Sequence, residues 1–233
     1  YGFDKPTRTG ITCRTLIGMT SKYYIDKTFP AMTTKKLAWK AVVSELLWFL
    51  EGSGDNSRLS QILHNKSDGK TIWTDNANAP FWLPKAEKEG DLGRVYGVQW
   101  RHWRTADGRE IDQIDKLVSG LKNDPYDRRH ILLSWNPGEL DQMALPACHV
   151  MAQFSVDDRG YLHCCMTQRS CDFFLGVPFN IASYSLLTYM LAQVCGYRPG
   201  TFTHFYVDAH IYHNHFTQVE EQIKRSLLPA PTL

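Results

Sequence analysis

Ala144-Leu-Pro-Ala-Cys-His-Val-Met-Ala-Gln-Phe-Ser-Val-Asp-Asp-Arg-Gly-Tyr-Leu-His-Cys-Cys-Met-Thr-Gln168 is the stretch that decides the fold. Two strand-like runs, His149–Val156 and Tyr161–Gln168, flank the turn-forming Asp157-Asp-Arg-Gly160, which spells a hairpin. Downstream, 181–194 carries apolar residues at helical spacing between a candidate cap at Asn180 and a stop at Gly196. Residues 201–207 read as a strand and 213–227 as a more polar helix. Upstream, 130–135 reads as a strand. Ile111, Ile114, Leu117, Val118 and Leu121 mark an amphipathic helix that ends at the turn Asn123-Asp-Pro125. The stretch 76–92, with Pro80, Pro84, Gly90 and many charges, reads as a surface loop. Leu37, Ala41, Trp48 and Phe49 predict a helix over 36–49, and 7–18 reads as a loop entering a first strand. Strands and helices mix without strict alternation and no linker divides the chain. The expectation is an α+β fold: a single domain over 1–233 with a buried mixed sheet flanked by helices.

Composition narrows the function. The chain has 233 residues, 43% hydrophobic and 21% charged, ordinary for a globular protein. A net charge of +2 argues against an extended polyanion, so nucleic acid is not expected as a partner. A small anion remains open, because one site needs only a few arginines. The longest apolar runs, 46–50 and 181–193, are short and interrupted by polar residues, which argues against a membrane span. No signal peptide is visible, and the first residue is Tyr1 rather than Met. The six cysteines form no C-x-x-C pair, so neither a zinc nor a thioredoxin-type site is expected. A chain of this size does not need disulfides, which points to a reducing, cytoplasmic setting with mostly free thiols.

Cys148 is either an inert buried strand cysteine or a nucleophile. His149 is a poor base for it, because neighbouring strand residues point to opposite faces. Positive charge is the better activator, lowering a thiol pKa. Arg8, Arg128, Arg129 and Arg169 supply candidates whose forks suit phosphate oxygens, although each alone reads as a surface charge. No glycine-rich P-loop is present. His210, Tyr212, Asn214 and His215 form a polar cluster after a strand. Its histidine spacing is weak for zinc, and hydroxyl binding or a capped strand end fits equally well. Glu45 falls on the apolar face of its helix. Burial should raise its pKa toward the range useful for proton transfer, or it makes a structural hydrogen bond.

These residues sit in motifs that resemble a known family. Ala144-Leu-Pro-Ala-Cys-His149, Gln168-Arg-Ser-Cys-Asp172 and Phe174-Leu-Gly-Val-Pro-Phe-Asn-Ile-Ala-Ser-Tyr184 look like the core of thymidylate synthases. So do Arg8-Thr-Gly10, Glu45-Leu-Leu-Trp-Phe-Leu50, Val95-Tyr-Gly97, Asp127-Arg-Arg129 and Asp208-Ala-His-Ile-Tyr-His-Asn-His215, in order and over nearly the whole chain. The resemblance implies reductive methylation of dUMP to dTMP, with methylenetetrahydrofolate as carbon and hydride donor and no metal. It makes Cys148 the nucleophile at uracil C6. Glu45, Tyr96, Arg169 and Asp172 assist catalysis. Arg8, Arg169, Ser170 and Asp172 join the dUMP site, Asn180 reads the uracil edge, and His210 and Tyr212 hold the sugar hydroxyl. Lys35, Ile72, Trp73, Asp172, Leu175, Gly176 and Phe179 form the folate site, with Lys35 at the glutamate tail. Arg128 and Arg129 reach the phosphate of a second subunit in a homodimer built on a sheet face.

Several positions depart from the pattern. Ala147 stands where a proline is usual, leaving the backbone before the thiol freer. Val207 stands where a glycine is usual, a poor fit if the backbone there needs positive φ. Asn76 replaces a tryptophan and should make the folate wall more polar. The family's N-terminal helix and C-terminal tail are not found in 1–233. These departures motivate a dUMP hydroxymethylase or an inactive nucleotide-binding regulator as alternatives. A cysteine hydrolase lacks a well-placed base.

Overall fold

A computed structural model of the chain describes residues 2–8 and 10–233. Tyr1 and Thr9, the latter in the middle of Arg8-Thr-Gly10, lie outside the described residues. The strands are β1 (Phe3–Lys5), β2 (Cys13–Tyr24), β3 (Trp103–Arg104), β4 (Glu110–Ile111), β5 (Ile131–Leu133), β6 (His149–Val156), β7 (Tyr161–Gln168), β8 (Cys171–Asp172) and β9 (Arg198–Tyr212). The helices are α1 (Trp39–Leu50), α2 (Asn56–His64), α3 (Thr74–Ala77), α4 (Tyr96–Arg101), α5 (Gln113–Asn123), α6 (Gly176–Cys195) and α7 (Phe216–Ile223).

The main sheet runs β1-β2-β9-β7-β6-β5, with β8 added beside β9. The hairpin β6–β7 has the bounds its sequence predicts. Asp157 closes its turn by accepting from the Arg159 and Tyr161 amides. Along β7, Leu162, Cys164, Met166 and Gln168 are buried while their neighbours are half-buried, the period-2 signature of a strand packed on one face. β7 and β9 are parallel, and β8 is parallel to β9. A parallel pair needs a crossover, which α6 provides by packing back onto β9 and β7. The sheet is therefore mixed and flanked by helices, an α+β architecture around one main core.

Five local expectations change. The segment 7–18 is not all loop, because β2 begins at Cys13 and β1 precedes it. The segment 76–92 is not merely surface. Trp82 is 2% exposed and donates its indole N–H to the Asp91 carbonyl, and Leu92 is fully buried. Asn180 does not cap α6. The helix starts four residues earlier, with Pro178 in the first turn where its missing N–H is not needed. The strand at 201–207 extends to Tyr212, because 201–212 pairs with β2 on one side while β8 supports its end on the other. Residues 213–227 give only a short 3₁₀ turn and α7.

Val207 sits comfortably within β9. Gly18, between the Ile17–Asp208 and Met19–Tyr206 pairs, takes the positive φ of 73° instead. Among the described residues, no helix is long and apolar enough to cross a membrane.

Candidate active site

One cavity of about 1210 Å³ gathers the chemistry. It is lined from α1, from the segments before β6 and after β7, from the start of α6 and from the end of β9. Arg8, Lys35, Glu45, Ile72, Trp73, Tyr96, Cys148, Arg169, Ser170, Asp172, Leu175, Gly176, Phe179, Asn180, His210 and Tyr212 all reach it. His210 and Tyr212 are two apart on β9, which explains their common face.

Cys148 directly precedes β6 and is half-buried. Its amide donates to Tyr96 Oη at 2.6 Å, and its carbonyl accepts from the Arg169 amide at 2.9 Å. The Arg169 guanidinium donates to the Ala147 and Pro146 carbonyls at 2.8 and 2.9 Å and stacks on Trp135. Arg169 thus anchors the backbone before the thiol, where Ala147 lacks the restraint of a proline. The expected drop in thiol pKa is not met. Burial pushes the Cys148 thiol up, and Arg169 and Tyr96 only partly oppose it.

The Asn180 amide is held at both ends. Its Oδ1 accepts from Gln168 Nε2 at 3.1 Å, and its Nδ2 donates to His149 Nε2 at 2.9 Å. Gln168 Nε2 also donates to the Ser170 carbonyl at 2.9 Å, while Gln168 Oε1 meets His204 Nε2 at 2.9 Å. A backbone carbonyl only accepts, so it fixes which end of the Gln168 amide faces it. Gln168 in turn fixes Asn180, and a chain of donors runs from His204 through Gln168 and Asn180 to His149. Burial pushes both His149 and His204 down to about 3, so both rings are neutral at physiological pH. Asn180 keeps one oxygen lone pair and one amide proton for a ligand.

Glu45 lines the cavity, with Oε1 accepting from Trp73 Nε1 at 2.7 Å. Burial pushes its carboxyl up to about 7, and the Trp73 bond pulls back less. Tyr96 packs between Phe49, Trp73 and His149, and burial holds its hydroxyl protonated, well above the usual range.

The outer cavity is apolar, with Ile72, Phe81 and Leu175 among the exposed large hydrophobic residues. Lys35 lies 4.1 Å over the Phe174 ring and donates to the Phe174 carbonyl. Its pKa is lowered by burial, and Asp172 opposes this. The Asp172 carboxylate accepts from the amides of Phe174 and Leu175, which shapes the turn into α6. Asn76, expected in this wall, lies on α3 and does not line the cavity.

Arg128 and Arg129 do not join the cavity of their own chain. Both are exposed, with the Arg129 side chain 88% accessible and paired to Asp127. Among the described residues, no group of three or more His, Cys, Asp or Glu side chains could hold a metal ion. Sequence reasoning passed over Gln168 and His204 and dismissed His149 as a base without seeing its tie to Asn180. The only signal was Gln168 opening the Gln168-Arg-Ser-Cys-Asp172 motif.

A thymidylate synthase family model matches residues 1–233. The chain is also 47% identical to a thymidylate synthase of human herpesvirus 8 type P (isolate GK18), over 100% of this chain and 70% of that protein.

Proposed function

The chain belongs to the thymidylate synthase family, and from that premise we propose how its own residues methylate dUMP to dTMP with methylenetetrahydrofolate. The carrying observation is one cavity lined both by a half-buried thiol, Cys148, and by an amide of fixed polarity, Asn180.

The Cys148 thiolate adds to C6 of the uracil ring, and electron density moves through C5 to O4. The second Asn180 amide proton meets O4, while Oδ1 accepts from N3–H. Donors aimed at developing charge favour the enolate over the flat base. C5 becomes nucleophilic, and Glu45 and the neutral Tyr96 hydroxyl pass protons at this end of the ring. Departure of Cys148 restores the aromatic base. Arg8, Arg169 and Ser170 bind the phosphate, and His210 and Tyr212 bind the sugar hydroxyl. The apolar outer wall fits a flat pterin, and the Lys35 ammonium at its edge fits a carboxylate tail. Bound methylenetetrahydrofolate supplies the carbon unit and the hydride. Trp73 keeps water from the reacting carbon.

The test follows dihydrofolate by absorbance and weighs the nucleotide product. dTMP with matching dihydrofolate supports this route. A hydroxymethyl product without folate oxidation would assign the chain to the alternative chemistry.

The raised Glu45 pKa has a signed consequence. The native state binds the Glu45 proton up to about pH 7 and the unfolded chain only to about 4.5, so stability falls as pH rises between them. Glu45→Gln keeps an acceptor for Trp73 and removes the buried charge. Urea melts should show the variant gaining on the parent from pH 4.5 to 7, with a constant gap above. A gap independent of pH would refute the shifted carboxyl.

A homodimer is the remaining part of the reading. Its support is the outward sheet face, where Phe205 and Val207 are 40% and 47% exposed, together with the exposed Arg128 and Arg129. Mixing a Cys148→Ala protein with an Arg128→Ala/Arg129→Ala protein should restore activity, because one shared site regains both features. No recovery after subunit exchange would exclude shared sites. The free state of all six cysteines fits a reducing cytoplasm.

A further inference from the structure

We propose that Asp208, held by Lys5, is a positioning residue that fixes the His210 tautomer and makes the sugar end of the cavity specific for a hydroxyl that donates its proton. This rests on the reading of His210 and Tyr212 as the sugar-hydroxyl pair.

Asp208, His210 and Tyr212 alternate along β9. His210 Nδ1 lies 3.0 Å from Asp208 Oδ1 and 3.2 Å from the Asp208 carbonyl oxygen. Both partners are acceptors, so Nδ1 carries the proton, and the neutral ring has only a lone pair at Nε2. The Lys5 ammonium donates to the other carboxylate oxygen, Oδ2. With both oxygens engaged, the Asp208 carboxylate cannot swing away from the ring. The His210 side chain is 8% exposed and stands edge-on to Tyr212, with ring centres 5.3 Å apart. The ring therefore has little room to turn.

An acceptor at Nε2 selects what it meets. A sugar hydroxyl donates to His210 and can accept from the Tyr212 hydroxyl. Hydrogen at that carbon offers neither bond, and fluorine offers only a weak acceptor facing a lone pair. Without the Asp208 carboxylate, only the longer bond to the backbone carbonyl would oppose the other tautomer.

Steady-state kinetics with dUMP, its 3′-deoxy analogue and its 3′-fluoro analogue test this on the full chain. The parent enzyme should lose about 10- to 100-fold in kcat/KM on loss of the hydroxyl, mostly through KM, with fluorine no better than hydrogen. In Asp208→Leu, KM for dUMP should rise about 10-fold with kcat little changed, and the hydroxyl preference should shrink to about 3-fold or less. Asp208→Asn combined with Lys5→Met should restore the preference, because without the Lys5 ammonium the amide oxygen is free to accept from Nδ1–H. A merely structural role would weaken all three nucleotides alike, and that result would overturn the assignment. If the preference vanishes in His210→Ala but survives in Asp208→Leu, Asp208 alone is misassigned. If it survives in His210→Ala, the underlying sugar reading fails. Should Asp208→Leu not fold, nitrogen-15 NMR of the parent ring decides: a protonated Nδ1 with a bare Nε2 supports the proposal, and a protonated Nε2 overturns it.

Discussion

Cys148→Ala binds dUMP nearly as tightly as the parent and forms no dTMP. The substitution removes one sulfur and leaves the groups proposed to hold the nucleotide: Arg8, Arg169 and Ser170 at the phosphate, Asn180 at the base, His210 and Tyr212 at the sugar. The backbone at 148 keeps its anchors as well, because its amide and carbonyl, not its side chain, bond to Tyr96 and Arg169. Calorimetry with dUMP should give a Kd within about 3-fold of the parent's. Turnover should fall by at least about 10⁴-fold, the scale on which loss of a covalent nucleophile is felt. The Cys148 thiol is pushed up by burial, so the free enzyme holds it mainly as the thiol at neutral pH. Attack then needs proton loss within the complex, which places proton-handling groups such as Tyr96 and Glu45 close to the limiting steps. dTMP formation above a trace would remove Cys148 from the mechanism.

How much the chain betrays in advance depends on whether the cause is local. The β6–β7 hairpin was legible because Asp157-Asp-Arg-Gly160 closes its own turn and the flanking alternation fixes the buried face. Helix α5 was legible for the same reason, although Ile111, read as its first apolar residue, falls in β4 and Asp112 caps the start. The far end of β9 was not legible, because Asp208, His210 and Tyr212 are polar and extend only through pairing with β2 and β8. Asn180 was legible as important but misplaced: capping is the commoner use of an asparagine beside a helix, and the start of α6 lay hidden in Gly176-Val-Pro. Glu45 announced itself, since a carboxylate on an apolar helix face demands an explanation. The network from His204 to His149 did not. Its members come from β6, β7, α6 and β9, and only the sheet register brings them together.

That network decides the second large effect: Asn180→Asp reverses the base preference from uracil toward cytosine. In the parent, the Ser170 carbonyl locks Gln168, and Gln168 locks Asn180 with its oxygen toward Gln168 and its nitrogen toward His149. The free lone pair and free proton then match N3–H and O4 of uracil. Cytosine, with a bare N3 and an amino group at C4, needs the opposite polarity, and flipping the amide would break both locks. Aspartate at 180 still accepts from Gln168. Toward His149 it presents a second acceptor, which requires the proton to sit on Nε2. His149 can comply by changing tautomer, because Nδ1 is buried without a partner and loses no hydrogen bond. The aspartate therefore folds into place, and its second oxygen repels uracil O4 but accepts from the cytosine amino group, while one proton taken up between the carboxyl and cytosine N3 completes that pair. One lost bond and one opposed pair should lower kcat/KM for dUMP by about 10²- to 10⁴-fold, with a smaller or opposite change for dCMP. Competition between the two nucleotides for addition of Cys148 gives the ratio directly. If dUMP keeps its advantage in Asn180→Asp, the Asn180 amide is not what reads the base, and the hydrogen-bonded chain behind it serves only the fold.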